Sequence, residues 1–381
     1  MGALGTLGGF LILFTILWDA FETVILPRRV TRRIRLASTF YRSTWLPWRA
    51  VARRIGSTKR REAYLSYYGP LSLLALFAVW FVSLVFAFAL LHWGIGSALN
   101  ARPNETPSFE TDLYMSGTTF FTLGLGDVTP RTPLARVITV MEAGMGFAFL
   151  AIVISYLPVL YGAFSRREVN ISLLDARAGS PPSALELLQR HAQSHTLRQL
   201  GQYLGDWESW AAELMESHLS YPVLCFFRSL HNNQSWLAAL TTVLDACALI
   251  VAYTAGECRW QARLTFAISR HALVDLAQVF RVPPSPAAAD RLPPRDRDHL
   301  LELLGVAGLP LVRSDQADEK FEHLRQMYEP FAYGLGQRLV LPLPAWFTAV
   351  EPVDNWRTSA WGRSSPELIT SGPALPDEEH S

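Results

Sequence analysis

The chain has 381 residues, half of them apolar, with a formal net charge of +1 and a mean hydropathy of +0.16. A soluble chain of this length divides into two or three domains and is less apolar than this, so the composition argues against a wholly water-soluble protein. Three cysteines, Cys225, Cys247 and Cys258, have neither CxxC nor metal-ligand spacing; they read as buried or free thiols of a reducing compartment, without a redox or metal role.

The first apolar run, Leu4 to Leu26, is long enough to cross a bilayer, which takes about 20 residues. No small-residue cleavage site follows it and no basic stretch precedes it, so it reads as a retained transmembrane helix over residues 1–27 rather than a signal peptide. Asp19 and Glu22 stand near its end, either as a functional intramembrane pair or as interfacial partners of Arg28 and Arg29, which is the better reading.

Residues 28–66 carry twelve arginines and lysines against Glu62, interleaved with aromatics in "FYRSTWLPWRAVARR". That pattern predicts an amphipathic cytoplasmic linker, with Trp45 and Trp48 at headgroup depth and the arginines on anionic lipid. Nucleic acid is the disfavoured partner, because adjacent spans tether the segment to lipid.

A second span runs over 70–93 and a third over 133–162. The loop between them carries Arg102 against Glu105, Glu110 and Asp112, whereas the loop before is strongly basic and the third span ends at Arg166-Arg167. The positive-inside rule then places the basic linker and the C-terminal half in the cytoplasm of a cell with this protein in its plasma membrane, with the N-terminus outside.

Between these spans, "FETDLYMSGTTFFT" has the length of a short helix, 108–121, and "TLGLGD" follows at once over 122–127. Non-helical backbone at membrane depth is tolerated where protein buries it or where it lines a watery path, and a re-entrant helix followed by an extended strand meets that condition. A dehydrated cation needs a column of weak oxygen ligands. Gly124 and Gly126 permit the unusual φ that would aim successive carbonyls inward, Thr122 adds a hydroxyl, and Asp127 gathers cations at the outer mouth. Leu123 and Leu125 are expected to turn their side chains into surrounding protein.

At these residues the sequence resembles the potassium channel pore family, whose usual motif is Thr-Val-Gly-Tyr-Gly-Asp. The Gly-Leu-Gly-Asp version is most similar to the second pore loop of some two-pore-domain potassium channels. The resemblance covers residues 67–165 and implies that Thr122, Leu123, Gly124 and Leu125 supply ion-coordinating oxygens, with Gly126 shaping the outer turn. It implies an all-α membrane protein whose single pore loop assembles as a homotetramer, a passive channel for potassium and not an enzyme, with no cofactor beyond the permeant ion. Two positions depart from the family: Phe121 replaces a threonine, and Leu125 replaces the tyrosine that braces the filter, so Tyr114 in the surrounding cuff has no hydroxyl there to meet. A weakly selective monovalent channel that also passes sodium is the alternative, and a non-conducting membrane sensor using the pore fold as scaffold is another.

In the third span, Gly146 falls at the family's hinge-glycine position, though Gly144 and Gly146 equally suit close helix packing. Pro158 is expected to disturb the helix near its cytoplasmic end. Glu142 either tunes the filter from behind or pairs with a pore-helix hydroxyl such as Thr118.

Beyond it come a linker over 166–182, an α-helical cytoplasmic domain over 183–350 and a disordered tail over 351–381. Ser183-x-x-Glu186 has capping-box spacing. Trp236 to Gly256 is nearly long enough to span, but Asp245 at its centre favours a buried core helix. His191 and His195, four apart, read as a solvated helix face for want of a third ligand, and Gly334-Leu335-Gly336 as a helix end and turn rather than a second filter.

Overall fold

The computed structural model describes residues 2–26, 35–100, 107–193, 197–230, 233–285 and 290–347. The expected tail over 351–381, the arginines at 28, 29, 32, 33 and 102, Glu105 and His195 lie outside them. Two compact units emerge, Met1–Ser165 with Ser217–Arg228, and Arg166–Glu216 with Ser229–Ser381.

In the first unit, α1 (Gly2–Ala20) ends in a π turn, Phe21–Ile25. It lies along α4 (Tyr68–Gly94) through small residues: a Cβ on Gly9 would stand 2.7 Å from the Ala87 carbonyl oxygen. In lipid, where apolar surface gains little by leaving its solvent, such close backbone approach is what holds helices together. Arg28 and Arg29, the expected interfacial partners of Asp19, lie outside the described residues; within them Asp19 is held by two other helices. Both its oxygens accept from the Ala37 amide at 3.2 Å, and Oδ2 also accepts from the Trp80 indole at 3.0 Å. It therefore satisfies an otherwise orphaned first-turn amide of α2 (Leu36–Arg54) from another helix. Glu22 accepts from the Trp18 indole at 2.7 Å and pairs with Arg35 at 3.7 Å.

The expectation for Trp45 is overturned. It is 2% exposed, with its ring 4.7 Å from that of Tyr68 and 5.0 Å from that of Phe226, so this face of α2 packs on protein. Trp48 stacks on Tyr64 of α3 (Thr58–Ser66) at 4.6 Å. Phe226 comes from a 3-10 turn, Pro222–Phe226, far along the chain. Val223, Leu224 and Phe227 around that turn join Ile16, Leu76, Trp80 and Tyr156 in one apolar core.

Helix α5 (Phe109–Phe120) begins at Ser108, whose side chain and that of Thr111 form a reciprocal capping box. After it, α6 (Pro133–Ala178) starts with proline at its first position, and Thr132 Oγ1 accepts from the Ala135 amide at 3.3 Å. The inner helix does not stop at 162, and the expected linker over 166–182 is helical as far as Ala178. Pro158 lies inside α6 rather than ending it, with Tyr156 and Leu160 buried on either side. The break comes at Gly179, left-handed at φ +78°.

The second unit contains α7 (Ala184–Gln193), α8 (Leu197–Ser220) as far as Glu216, α9 (Trp236–Tyr253), α10 (Glu257–Val279), α11 (Pro294–Val306), α12 (Asp315–Gln326) and α13 (Glu329–Leu339). Every residue of α9 is buried. Its Asp245 receives a two-pronged bond from Arg291, at 3.2 and 2.6 Å, and the Tyr328 hydroxyl as well. A fully buried carboxylate persists because it is paired and hydrogen-bonded. Helix α9 is therefore the core helix that Asp245 implied. Only half of the capping box forms at α7: the Glu186 amide donates to Ser183 Oγ at 3.2 Å, while the Glu186 side chain pairs with Arg190. His191 is buried rather than solvated, with Nδ1 2.8 Å from the Leu187 carbonyl and the ring against Tyr203. Gly334 and Gly336 lie in the last turns of α13, which ends at a left-handed Val340.

Candidate ion pathway

Outer helix α4 and inner helix α6 bracket the short α5, and the 122–127 run follows α5 directly. A two-residue bridge, β1 (Leu99–Asn100) with β2 (Thr129–Pro130), joins the chain after α4 to the chain after that run. The Arg131 amide extends this bridge to the Ala98 carbonyl at 2.8 Å.

The carbonyl end of α5 anchors the run. Phe121 N–H donates to Gly117 O at 3.1 Å and Thr122 N–H to Thr119 O at 3.0 Å. Leu123 and Gly124 both donate to Thr118 O, at 2.8 and 3.3 Å. Backbone groups left over by a helix terminus thus become the fastening of the segment after it.

Beyond that fastening the backbone alternates. Thr122, Gly124 and Gly126 have φ of +60°, +56° and +78°, whereas Leu123 and Leu125 stay on the ordinary negative side. In a β-strand successive carbonyls face opposite ways; where φ alternates in sign they turn toward one side. Gly124 and Gly126 adopt this without steric penalty. Thr122 does not, and its left-handed backbone costs about 1–2 kcal/mol. No motif announces that strain, because a threonine is otherwise expected on the extended side. Leu123 and Leu125 are each 63% exposed in the single chain, so no protein of the same chain receives them. Phe121, in the place of the family's threonine, is exposed as well.

At the outer end the Tyr114 hydroxyl donates to Asp127 Oδ2 at 2.9 Å. Tyr114 therefore has a partner even though Leu125 offers none. Behind the run, Glu142 of α6 meets Ser116 of α5, not Thr118, whose hydroxyl is spent on the Met115 carbonyl at 3.0 Å. His92, at the end of α4, sets Nε2 3.6 Å from Glu142 Oε2. Both side chains are fully buried. Neither His92 nor Ser116 was picked out by sequence reasoning, since a histidine in "LLHWG" and a serine among threonines carry no motif.

Gly146 is a point of close approach. A Cβ there would strike the Phe120 carbonyl oxygen at the end of α5, so the close approach requires glycine. Pro158 lies far along α6 from Glu142, in the stretch whose Tyr156 packs on Tyr221.

Among the described residues no group of three His, Cys, Asp or Glu side chains could hold a metal ion. Cys225 and Cys247 are buried, and burial pushes the Cys258 thiol up to about 11, away from thiolate chemistry.

Residues 74–160, which contain this whole arrangement, match a family model described as "Ion channel". The chain is also 24% identical over 217 residues to the uncharacterised membrane protein YdjJ of Bacillus subtilis (strain 168), covering 56% of this chain and 61% of that protein. No solved structure matches it. An ion-channel domain thus occupies residues 74–160 of a multi-pass membrane protein, in which four helices among the described residues are long and apolar enough to cross a bilayer.

Proposed function

We propose that this protein is a passive, homotetrameric cation channel that conducts potassium through the 122–127 run. The observation that carries the reading is the alternation of φ at Thr122, Gly124 and Gly126, directly after a helix that points its carbonyl end at the run. Carbonyl oxygens turned to one side replace a hydration shell only if they ring the ion, and one such run per chain needs symmetry to close the ring. The exposure of Leu123 and Leu125 fits the same assembly, in which neighbouring subunits receive them. So does α6, since only 17% of its most apolar stretch is buried in one chain. Thr122, Leu123, Gly124 and Leu125 would supply the oxygens, Gly126 the outer turn and Asp127 the cation-collecting mouth. Gly146 and Pro158 would be the points about which the inner helix moves. The basic α2–α3 region and the second unit would face the cytoplasm of a plasma membrane with the N-terminus outside, and α2 would meet anionic lipid along its exposed arginines.

Purified protein in liposomes tests this. Potassium flux is expected from the parent and loss of flux from Gly124→Ala, because alanine resists φ +56°. Absence of both potassium and sodium flux from the parent across pH and voltage would refute the channel. Leu125 supports a second reading, a weakly selective monovalent channel, since a leucine gives the filter no side-chain brace. Tighter potassium selectivity in Leu125→Tyr would favour it.

A further inference from the structure

We infer that Glu142 carries a hydrogen and, as a neutral acid, latches the inner helix to the pore helix and outer helix through Ser116, making Glu142 and Ser116 positioning residues for the filter. The inference rests on the channel reading above and deepens it.

The argument is a count of hydrogens. Ser116 Oγ lies 2.7 Å from the Val85 carbonyl oxygen of α4 and in hydrogen-bond contact with Glu142 Oε1 of α6. Each such contact needs a hydrogen between its two oxygens. A serine hydroxyl has one hydrogen, and a carbonyl has none to give. The Ser116 hydrogen therefore goes to Val85, and the second hydrogen comes from the Glu142 carboxyl. An ionised Glu142 would leave one of the two contacts as bare oxygen against oxygen.

The surroundings agree. Ser116, Glu142 and His92 are all 0% exposed. Among the described residues Glu142 Oε2 and both His92 ring nitrogens lack a hydrogen-bond partner, and the 3.6 Å between Oε2 and Nε2 is too long for one. A fully charged buried pair would demand close, well-satisfied geometry, and this one lacks it. A neutral Glu142 avoids that cost. Asp112, the other acid near His92, is held by Ser97 at 2.6 Å. Helix α1, packed along α4, contributes no ionisable side chain before Asp19.

The latch reaches the filter because of where Ser116 stands. The next three residues, Gly117, Thr118 and Thr119, supply the carbonyls that bind the first amides of the 121–124 stretch. Holding Ser116 between Val85 and Glu142 fixes those carbonyls relative to both long helices.

Infrared difference spectra of the full chain in liposomes, parent minus Glu142→Gln, read the hydrogen directly and do not depend on conduction. A protonated-carboxyl band present in the parent and lost in the variant is expected; loss of carboxylate bands alone would overturn the inference. Flux reads the positioning. Glu142→Gln, whose amide still donates to Ser116, should keep the parent's potassium-to-sodium ratio, while Glu142→Leu and Ser116→Ala lower it by about fivefold, the scale of one lost hydrogen bond. Glu142→Gln falling with Glu142→Leu, or Ser116→Ala matching the parent, would overturn the latch. Should Glu142→Leu fail to assemble, Ser116→Ala, the smaller change, carries the same comparison. A parent that passes neither ion would refute the channel and leave the infrared result to decide the hydrogen.

Discussion

The hydroxyl of Tyr114 and the carboxylate of Asp127 meet at 2.9 Å, tying the outer end of the 122–127 run to the middle of α5. On the channel reading proposed above, this bond from the helix side would brace the run where Leu125 carries no hydroxyl. Tyr114→Phe removes one hydrogen bond to a charged group, about 1.5–3 kcal/mol. In liposomes this variant should lose potassium-to-sodium discrimination several-fold while still passing ions; an unchanged ratio would mean that Asp127 is held by other means.

Asp245 and Arg291 form an enclosed ion pair of the second unit, with Asp245 0% exposed. Asp245→Ala leaves the Arg291 guanidinium buried without its principal partner. The expected loss is about 3–5 kcal/mol, visible as a lower thermal midpoint for the second unit. Asp245→Asn, which keeps a partial partner, should lose less.

Asp290 supplies a pH dependence. Burial alone would raise its carboxyl, but the Arg325 hydrogen bond, the Leu292 amide and the charges of Arg325 and Arg291 outweigh burial and hold it below the usual carboxylate range. A depressed carboxyl stabilises the fold above its unfolded value of about 3.9 and loses that contribution as pH falls through the lower folded value. Melting temperatures across a pH series should therefore contain a component that fades only below about pH 4. Asp290→Asn should lack that component.

Phe227 packs over Gly69 of the outer helix, where a Cβ would stand 2.7 Å from its ring. Gly69→Val should push the returning turn away and expose Arg228, now paired with Glu62 at 3.6 Å. Faster tryptic cleavage at Arg228 than in the parent is the expected readout, and an unchanged rate would count against this packing.

The ion-channel domain was legible because its signals are local. A short apolar helix, alternating glycines and two flanking spans are consecutive in sequence, and each needs only its neighbours to be recognised. What escaped depended on distant segments meeting. The bonds of Asp19 to the Ala37 amide and the Trp80 indole could not be foreseen, because both partners lie on other helices. Trp45 looked lipid-facing because an amphipathic pattern does not say whether lipid or protein covers the apolar side. The linker reading of 166–182 relied on Gly and Pro, which stop α6 only where they begin, at Gly179. Glu142 was noticed, but its partner was misplaced by two residues, because helical spacing gives a face and not a rotamer.

The returning turn bears on how the protein is made. Val223, Leu224 and Phe227 belong to the same core as the spans, yet they leave the ribosome long after α6 has entered the membrane. Until they arrive, the nascent pore unit holds an open apolar seam beside Tyr156 and Phe77. A gene truncated after residue 165 would encode all the spans of the pore and still lack part of its interior, so expression trials of an isolated pore should retain residues through 228.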